Sequence, residues 1–393
     1  MGKIAIKDDI FWVGVKDPDR AVFDGLLPLP YGTTYNSYVV VGSEKTALID
    51  TCEPEFLDIL LGNLNGIKKI DYIVSHHAEQ DHSGSIPLLL EKFPEATLVC
   101  LQKNKDMLQT LMTIPDDRIQ VVEDGGEISL GNKTIRFMFC PWVHWPETTI
   151  TYIPEDKMLF PCDFLGSHYC WDHIFAGDDP AVYKGAKEYY VQIMMLYSKM
   201  TAKYLDRINA LDIEYICPSH GSVYDKPQII LDLYETWMRG APENTVLIGY
   251  VSAHGSTKIM ADHLKDALEK RGVNVELHDL VTVPLNELAG LLTDVATIVL
   301  GSSVIMAALH PVAVNTAFLL DRLKPKAKFA AVIGSYGWSP NPLKKADELF
   351  PSWKVEVVGG VIAKGHPGDD ALAEIDALAD TIAAKHGEAG LLK

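Results

Sequence analysis

The chain has 393 residues, 48% of them apolar and 22% charged, which suits a soluble globular protein of two domains. Its formal charge of −18 argues against nucleic acid as a ligand, because phosphate binding needs clustered Lys and Arg. No apolar run reaches the roughly 18 residues of a spanning helix and the start lacks a secretory core, which argues against a membrane; the six cysteines, with no C-x-x-C pair, read as reduced thiols of a cytoplasmic protein.

From residue 10 to about 160, short β-type runs recur: Tyr38–Val41, Lys45–Ile49, Thr134–Phe137 and Thr149–Tyr152. Between them Phe56–Leu64, Ile86–Phe93 and Lys105–Met112 read as helices, an order that suggests two sheets packed between helical layers. The apolar run Asp71–Val74 leads into His77-Ala78-Glu79-Gln80-Asp81-His82-Ser83-Gly84. Residues i and i+2 of an extended segment point to one side, so His77 and Glu79 can bind one ion while Asp81 and His82 turn toward a second. His144, Asp163 and His220 follow the strand-like runs Phe137–Cys140, Lys157–Phe160 and Glu214–Cys217. Together these residues offer four imidazoles and three carboxylates, ligands enough for two cations. Ala181–Ile208 reads as mostly helical, with Pro180 before its start.

The polar, Gly/Pro-containing stretch Met238–Asn244 is the expected boundary, dividing the chain into residues 1–242 and 243–393. Beyond it strands and helices alternate: strands Val246–Val251, Asn274–His278, Thr297–Gly301, Phe329–Gly334 and Lys354–Val358, with helices Lys258–Arg271, Val312–Leu323, Leu343–Phe350 and Asp370–Lys385. That alternation implies a doubly wound parallel sheet of about five strands. After its first strand come Ser252, Ala253, His254, Gly255, Ser256 and Thr257, where helix N–H groups and hydroxyls can hold a phosphate. Two further loops, Gly301–Met306 and Gly334–Ser339, lie where such a sheet binds ligands.

The H-x-E-x-D-H pattern with later His, Asp and His resembles the metallo-β-lactamase superfamily in its flavodiiron branch, and the resemblance extends over essentially the whole chain, including Gly32–Asn36 and His144-Trp145-Pro146-Glu147. It implies an α/β architecture, a metallo-β-lactamase-like αββα sandwich followed by a flavodoxin-like sheet. The hydrolytic branches usually have His at the position of Glu79, and a carboxylate there makes the set harder, favouring iron over zinc. Carried over, the pattern assigns His77, Glu79 and His144 to a proximal iron, Asp81, His82 and His220 to a distal one, and Asp163 to the bridge. FMN is the implied second cofactor, held by Ser252, His254, Gly255, Ser256 and Thr257, by Ser302, Ser303, Val304, Ile305 and Met306, and by Ser335, Tyr336, Gly337 and Trp338. The chain departs from relatives in the last residues of the middle loop, where many carry Thr and Asn, and at Asp24, where many carry His near the gas pocket. Trp338 either stacks on the flavin or packs a loop. Tyr189 and Tyr190 read as a packed helix face, with the pocket as the alternative.

The resemblance implies an enzyme that reduces dioxygen to water, nitric oxide to nitrous oxide, or both. Electrons would come through FMN from a rubredoxin, a reduced deazaflavin or a flavoprotein reductase. The implied assembly is a head-to-tail homodimer or a dimer of dimers. Two other readings stand beside it: a dizinc hydrolase with a flavodoxin-like accessory domain, and an FMN electron carrier.

Overall fold

The computed structural model describes residues 2–170, 173–338 and 349–392. Ser339 and most of the helix expected over Leu343–Phe350 lie outside the described residues. The chain divides into two compact units, Met1–Met238 and Arg239–Lys393.

In the first unit a seven-stranded sheet runs in the order Ile4–Lys7, Ile10–Trp12, Tyr38–Val41, Thr46–Ile49, Tyr72–Val74, Thr97–Leu101, Ile119–Val122. Its central strands are apolar on both faces because both are covered. Val39, Leu48, Ile73, Leu98 and Cys100 pack with Leu60, Ile86, Leu89 and Leu108 of the helices Leu57–Asn63, Ile86–Lys92 and Gln102–Leu111. The alternate residues Val40, Ala47, Ile49, Val74 and Val99 meet Ile128, Ile135, Phe137, Ile153 and Phe160 of the second sheet. That sheet has five strands, in the order Glu127–Ser129, Thr134–Phe139, Thr149–Ile153, Met158–Phe160, Tyr215–Ile216. Burying each large aliphatic side chain is worth about 1.5–3 kcal/mol, so the doubly covered sheet is a rigid base for the loops at its strand ends. This is the αββα sandwich of the sequence reading.

In the second unit five parallel strands stand in the order Asn274–Asp279, Glu243–Val251, Val295–Ile305, Phe329–Tyr336, Glu356–Lys364. Chain order 2-1-3-4-5 is the flavodoxin-like winding. Val299, Ala331 and Ile333 pack with Met260, Leu264, Ile375 and Leu378 of the helices Ser256–Glu269 and Asp369–Glu388. The third strand overruns its expected end at Gly301. Val304 and Ile305 extend it, and a turn at Met306 and Ala307, both with positive φ (52° and 59°), returns it to Leu309 and Ala308. β-Branched residues favour the pleated surface, and two left-handed residues in sequence match a tight hairpin turn.

Candidate functional site

The strand Tyr72–Val74 ends just before the H-x-E-x-D-H segment, which runs extended to Glu79 and then turns into the short helix Gln80–Ser83. That turn is pinned from both sides. The backbone N–H and the hydroxyl of Thr51 both donate to the His82 carbonyl at 2.7 Å, and Ser83 Oγ donates to the carbonyls of Ala78 (2.7 Å) and Glu79 (2.9 Å). Extended backbone followed by a helical turn sends His77 and Glu79 one way and Asp81 and His82 another.

All seven candidate donors come together, in two sets. His77 Nε2 is 2.9 Å from Glu79 Oε2 and 3.6 Å from Asp163 Oδ2; His144 Nε2 is 3.2 Å and 3.4 Å from the same two oxygens. On the other side His82 Nε2 is 3.0 Å from Asp163 Oδ1 and 3.4 Å from Asp81 Oδ2, and His220 Nε2 is 3.5 Å and 3.1 Å from them. Asp163 therefore turns one oxygen to each set. Both carboxylate oxygens of Asp81 and Asp163 and both ring nitrogens of His82 are buried without a hydrogen-bond partner among the described residues. Buried carboxylates in that state are costly unless paired or coordinated. Two cations, each meeting His and carboxylate donors and sharing Asp163, fit the set; hard oxygen donors with imidazole suit iron.

The electrostatics point the same way. Burial alone would raise the pKa of Asp163, yet the positive charge of His82 and of the other imidazoles facing it, His144 and His220, holds it well below the usual carboxylate range. Glu79 is likewise pushed up by burial but held low by hydrogen bonds from His144 and His77. Burial opposes the charged form of His144, and the carboxylates of Asp163 and Glu79 close to its ring outweigh it, lifting its pKa to about 10. His82 is also lifted well above its ordinary value, by Asp163 and Asp81 against burial. Protons on the imidazoles thus balance the carboxylates where cations would otherwise do so, and metal binding must displace them.

Around the donors stands a shell that the sequence reading missed. Glu147, fully buried, accepts from His77 Nδ1 at 2.7 Å and from the Ala78 N–H at 3.0 Å, which leaves His77 Nε2 facing the cluster. His220 Nδ1 donates to the Thr34 carbonyl at 2.6 Å with the same effect. Asp50 accepts from the His76 N–H (2.9 Å), His76 Nδ1 (2.7 Å) and Ser219 Oγ (3.1 Å), while His76 Nε2 meets Thr151 Oγ1 at 2.9 Å. This network joins the segments after three strands to the middle of a fourth, Thr149–Ile153, beside the donors. His168, five residues after Asp163, is buried with its ring 4.9 Å from those of His220 and Tyr189; Nδ1 meets Thr33 Oγ1 and Nε2 has no partner among the described residues. Burial and then His220 hold it neutral, well below the ordinary histidine pKa. Tyr189 faces this side of the site, whereas Tyr190 packs on Tyr234 and Trp237. The available signals were Glu147 three residues after His144 and a histidine in the same loop as Asp163.

In the second unit Gly255, in the left-handed region (φ 90°), precedes the helix Ser256–Glu269 and offers no side-chain cap to its first turn. Ser252 Oγ accepts from the Lys258 N–H at 3.2 Å, His254 is exposed, and Thr257 and Ser335 share a buried hydroxyl hydrogen bond of 3.0 Å that ties the first loop to the third. Ser302 Oγ accepts from the His310 N–H at 3.1 Å; Ser303 Oγ is buried without a partner among the described residues. Val304 and Ile305 lie in the strand, Met306 in the turn, and Tyr336 ends the next strand, followed by Gly337. Trp338 is 89% exposed, so it does not pack the loop against the described residues. A helix N-terminus opened by a glycine, with these hydroxyls beside it, suits a phosphate.

Residues 33–221 match the ODP family beta lactamase. The chain is 34% identical to a nitric oxide reductase of Moorella thermoacetica, over 90% of this chain and 91% of that one. It is 32% identical to the flavo-diiron protein FprA2 of Clostridium acetobutylicum, over 86% and 88%. Its fold superposes on the rubredoxin oxygen:oxidoreductase of Desulfovibrio gigas with a TM-score of 0.92 at 27% identity, covering 98% of both chains. On that similarity across nearly its full length, the chain belongs to the flavodiiron protein family.

Proposed function

We propose that the protein is an oxidoreductase that reduces dioxygen to water, nitric oxide to nitrous oxide, or both, at a two-iron centre supplied through FMN. The observation that carries this reading is the pair of donor sets sharing Asp163, one of which contains the carboxylate Glu79. His77, Glu79 and His144 would hold one iron, Asp81, His82 and His220 the other, and Asp163 both. The printed names of the relatives, a nitric oxide reductase and an oxygen oxidoreductase, agree with it. Two ferrous ions and one reduced flavin together supply four electrons, the number that takes dioxygen to two waters.

The chain's own residues orient and enclose. Glu147 and the Thr34 carbonyl fix the tautomers of His77 and His220; Phe23, Tyr189 and Trp145 wall the imidazoles with apolar surface. In this reading residues 1–242 are the iron domain and 243–393 the FMN domain. The FMN contacts would come from Ser252, His254–Thr257, Ser302–Met306 and Ser335–Trp338. A cytoplasmic setting is supported by six cysteines that are all free thiols. A homodimer, head-to-tail or doubled, is supported by the exposed apolar side chains of Met306, Phe318 and Trp338 on the second unit. The electron donor would be a rubredoxin, a reduced deazaflavin or a flavoprotein reductase.

Anaerobic purification with metal and flavin quantification, then stopped-flow mixing of the reduced protein with each gas, tests the proposal. Two irons and one FMN per chain, with flavin reoxidation on mixing, are expected. A colourless zinc protein would favour hydrolysis, and gas reduction that survives a His77→Ala, Glu79→Ala double substitution would leave only an electron carrier.

A further inference from the structure

We propose that Asp24 is a charge filter at the mouth of the metal pocket, admitting neutral diatomic gases and disfavouring anionic ligands. The inference rests on the two-iron reading above and deepens it.

Asp24 sits at the tip of the hairpin formed by Val22–Phe23 and Leu27–Pro28. The turn is closed by the Leu26 N–H donating to the Phe23 carbonyl at 3.0 Å, and both central residues, Asp24 and Gly25, are left-handed (φ 51° and 63°). Asp tolerates that conformation better than most residues. What seats the tip over the site is Phe23, which is buried with its ring 4.6 Å from the ring of His168 and 5.8 Å from that of His220. The flanking side chains Val22 and Leu26 are exposed and apolar, so Asp24 is the one charged residue from Val22 to Pro28.

The Asp24 carboxyl has no hydrogen bond or ion pair among the described residues, yet it lies in the field of both donor sets. Burial, then Glu79 and Asp81, raise its pKa, and His144 and His220 lower it. Two cations in the pocket would cancel the neighbouring carboxylates and favour the charged form. A fixed negative charge there leaves a neutral gas untouched but repels an entering anion. At the effective dielectric near a protein surface, and after screening, a unit charge several ångströms away amounts to about a tenfold change in affinity.

The test compares azide binding to the oxidised iron-loaded protein, followed by its absorption change, with nitric oxide binding to the reduced protein, in the wild type and in Asp24→Asn and Asp24→Glu. Asn keeps the size and the tolerance of the left-handed turn. The ratio of azide to nitric oxide affinity should rise about tenfold in Asp24→Asn, stay near the wild-type value in Asp24→Glu, and differ less at high salt. An unchanged ratio in Asp24→Asn, or a rise that salt does not diminish, overturns the filter alone. A wild-type protein that takes up no iron overturns the two-iron reading and the filter with it.

Discussion

Glu147 shows how a residue that touches no candidate metal position can govern one. Its Oε1 takes both the His77 ring N–H and the Ala78 N–H, so the ring cannot rotate without stranding a buried carboxylate. Outer partners of this kind are typically worth about 10–100-fold in metal affinity. Glu147→Ala should therefore lose iron from the His77 position first, leaving closer to one iron than two per chain after dialysis against a chelator, with Glu147→Gln in between. Two irons held as firmly as in the wild type would contradict the role. The contrast between Glu147 and the seven donors marks what single residues reveal before folding. His77, Glu79, Asp81 and His82 fall at spacings that only local geometry has to interpret, and His144, Asp163 and His220 each follow a β-type run. Glu147 and His168 act beside rings far away in sequence, His77 for the one and His220 for the other, so their chemistry exists only after the strand ends have met.

The helix Asp369–Glu388 carries a titration that belongs to an element, not to a site. His386, fully buried near its end, meets Thr297 Oγ1 through Nε2 at 2.7 Å and Asn244 Oδ1 through Nδ1 at 2.8 Å, which anchors the helix to two strands. Burial lowers its pKa from 6.5 to about 4. A folded value below the unfolded one means that the unfolded chain binds the proton more readily; the stabilisation is full above pH 6.5 and is lost as pH falls toward 4. The loss is at most about 3 kcal/mol. Denaturant titrations of the second unit at pH 7 and pH 4.5 should show a larger drop for the wild type than for His386→Gln, and equal drops would exclude the coupling. Element existence was otherwise legible where the period was long. The pattern of this helix, with Ile375, Leu378, Ala379 and Ile382 on one face, survives any context. Helix Leu285–Leu291 has too few residues for a period to stand out, and the overrun of Val295–Ile305 past Gly301 depends on pairing with Ala308–Leu309 that no local signal announces.

At the scale of the whole chain, composition and the change of pattern near Met238 made two domains readable, because each unit buries its own core: two apolar layers about the seven-stranded sheet, and a separate cluster about the parallel sheet. Two cores with different donors imply two separate ligand linkages. A ligand held only by the folded state stabilises it by about 2.7 kcal/mol at one hundred times its dissociation constant. Among the described residues the donor sets proposed for iron lie only in the first unit, and the hydroxyls and helix N-terminus proposed for FMN lie in the second. Removing iron with a chelator should then speed amide exchange in the segments 77–83, 163–168 and 219–221, while removing flavin should speed it in 252–257, 302–306 and 335–337. Hydrogen exchange read by mass spectrometry assigns the opening to peptides, so the two effects separate in one experiment. Metal also competes with protons on the imidazoles, His82 and His144 among them, so the iron concentration needed for protection should rise as pH falls from 8 to 6. If chelation left the first set of segments as protected as before, or flavin removal loosened them first, the assignment of each ligand to its own unit would be wrong.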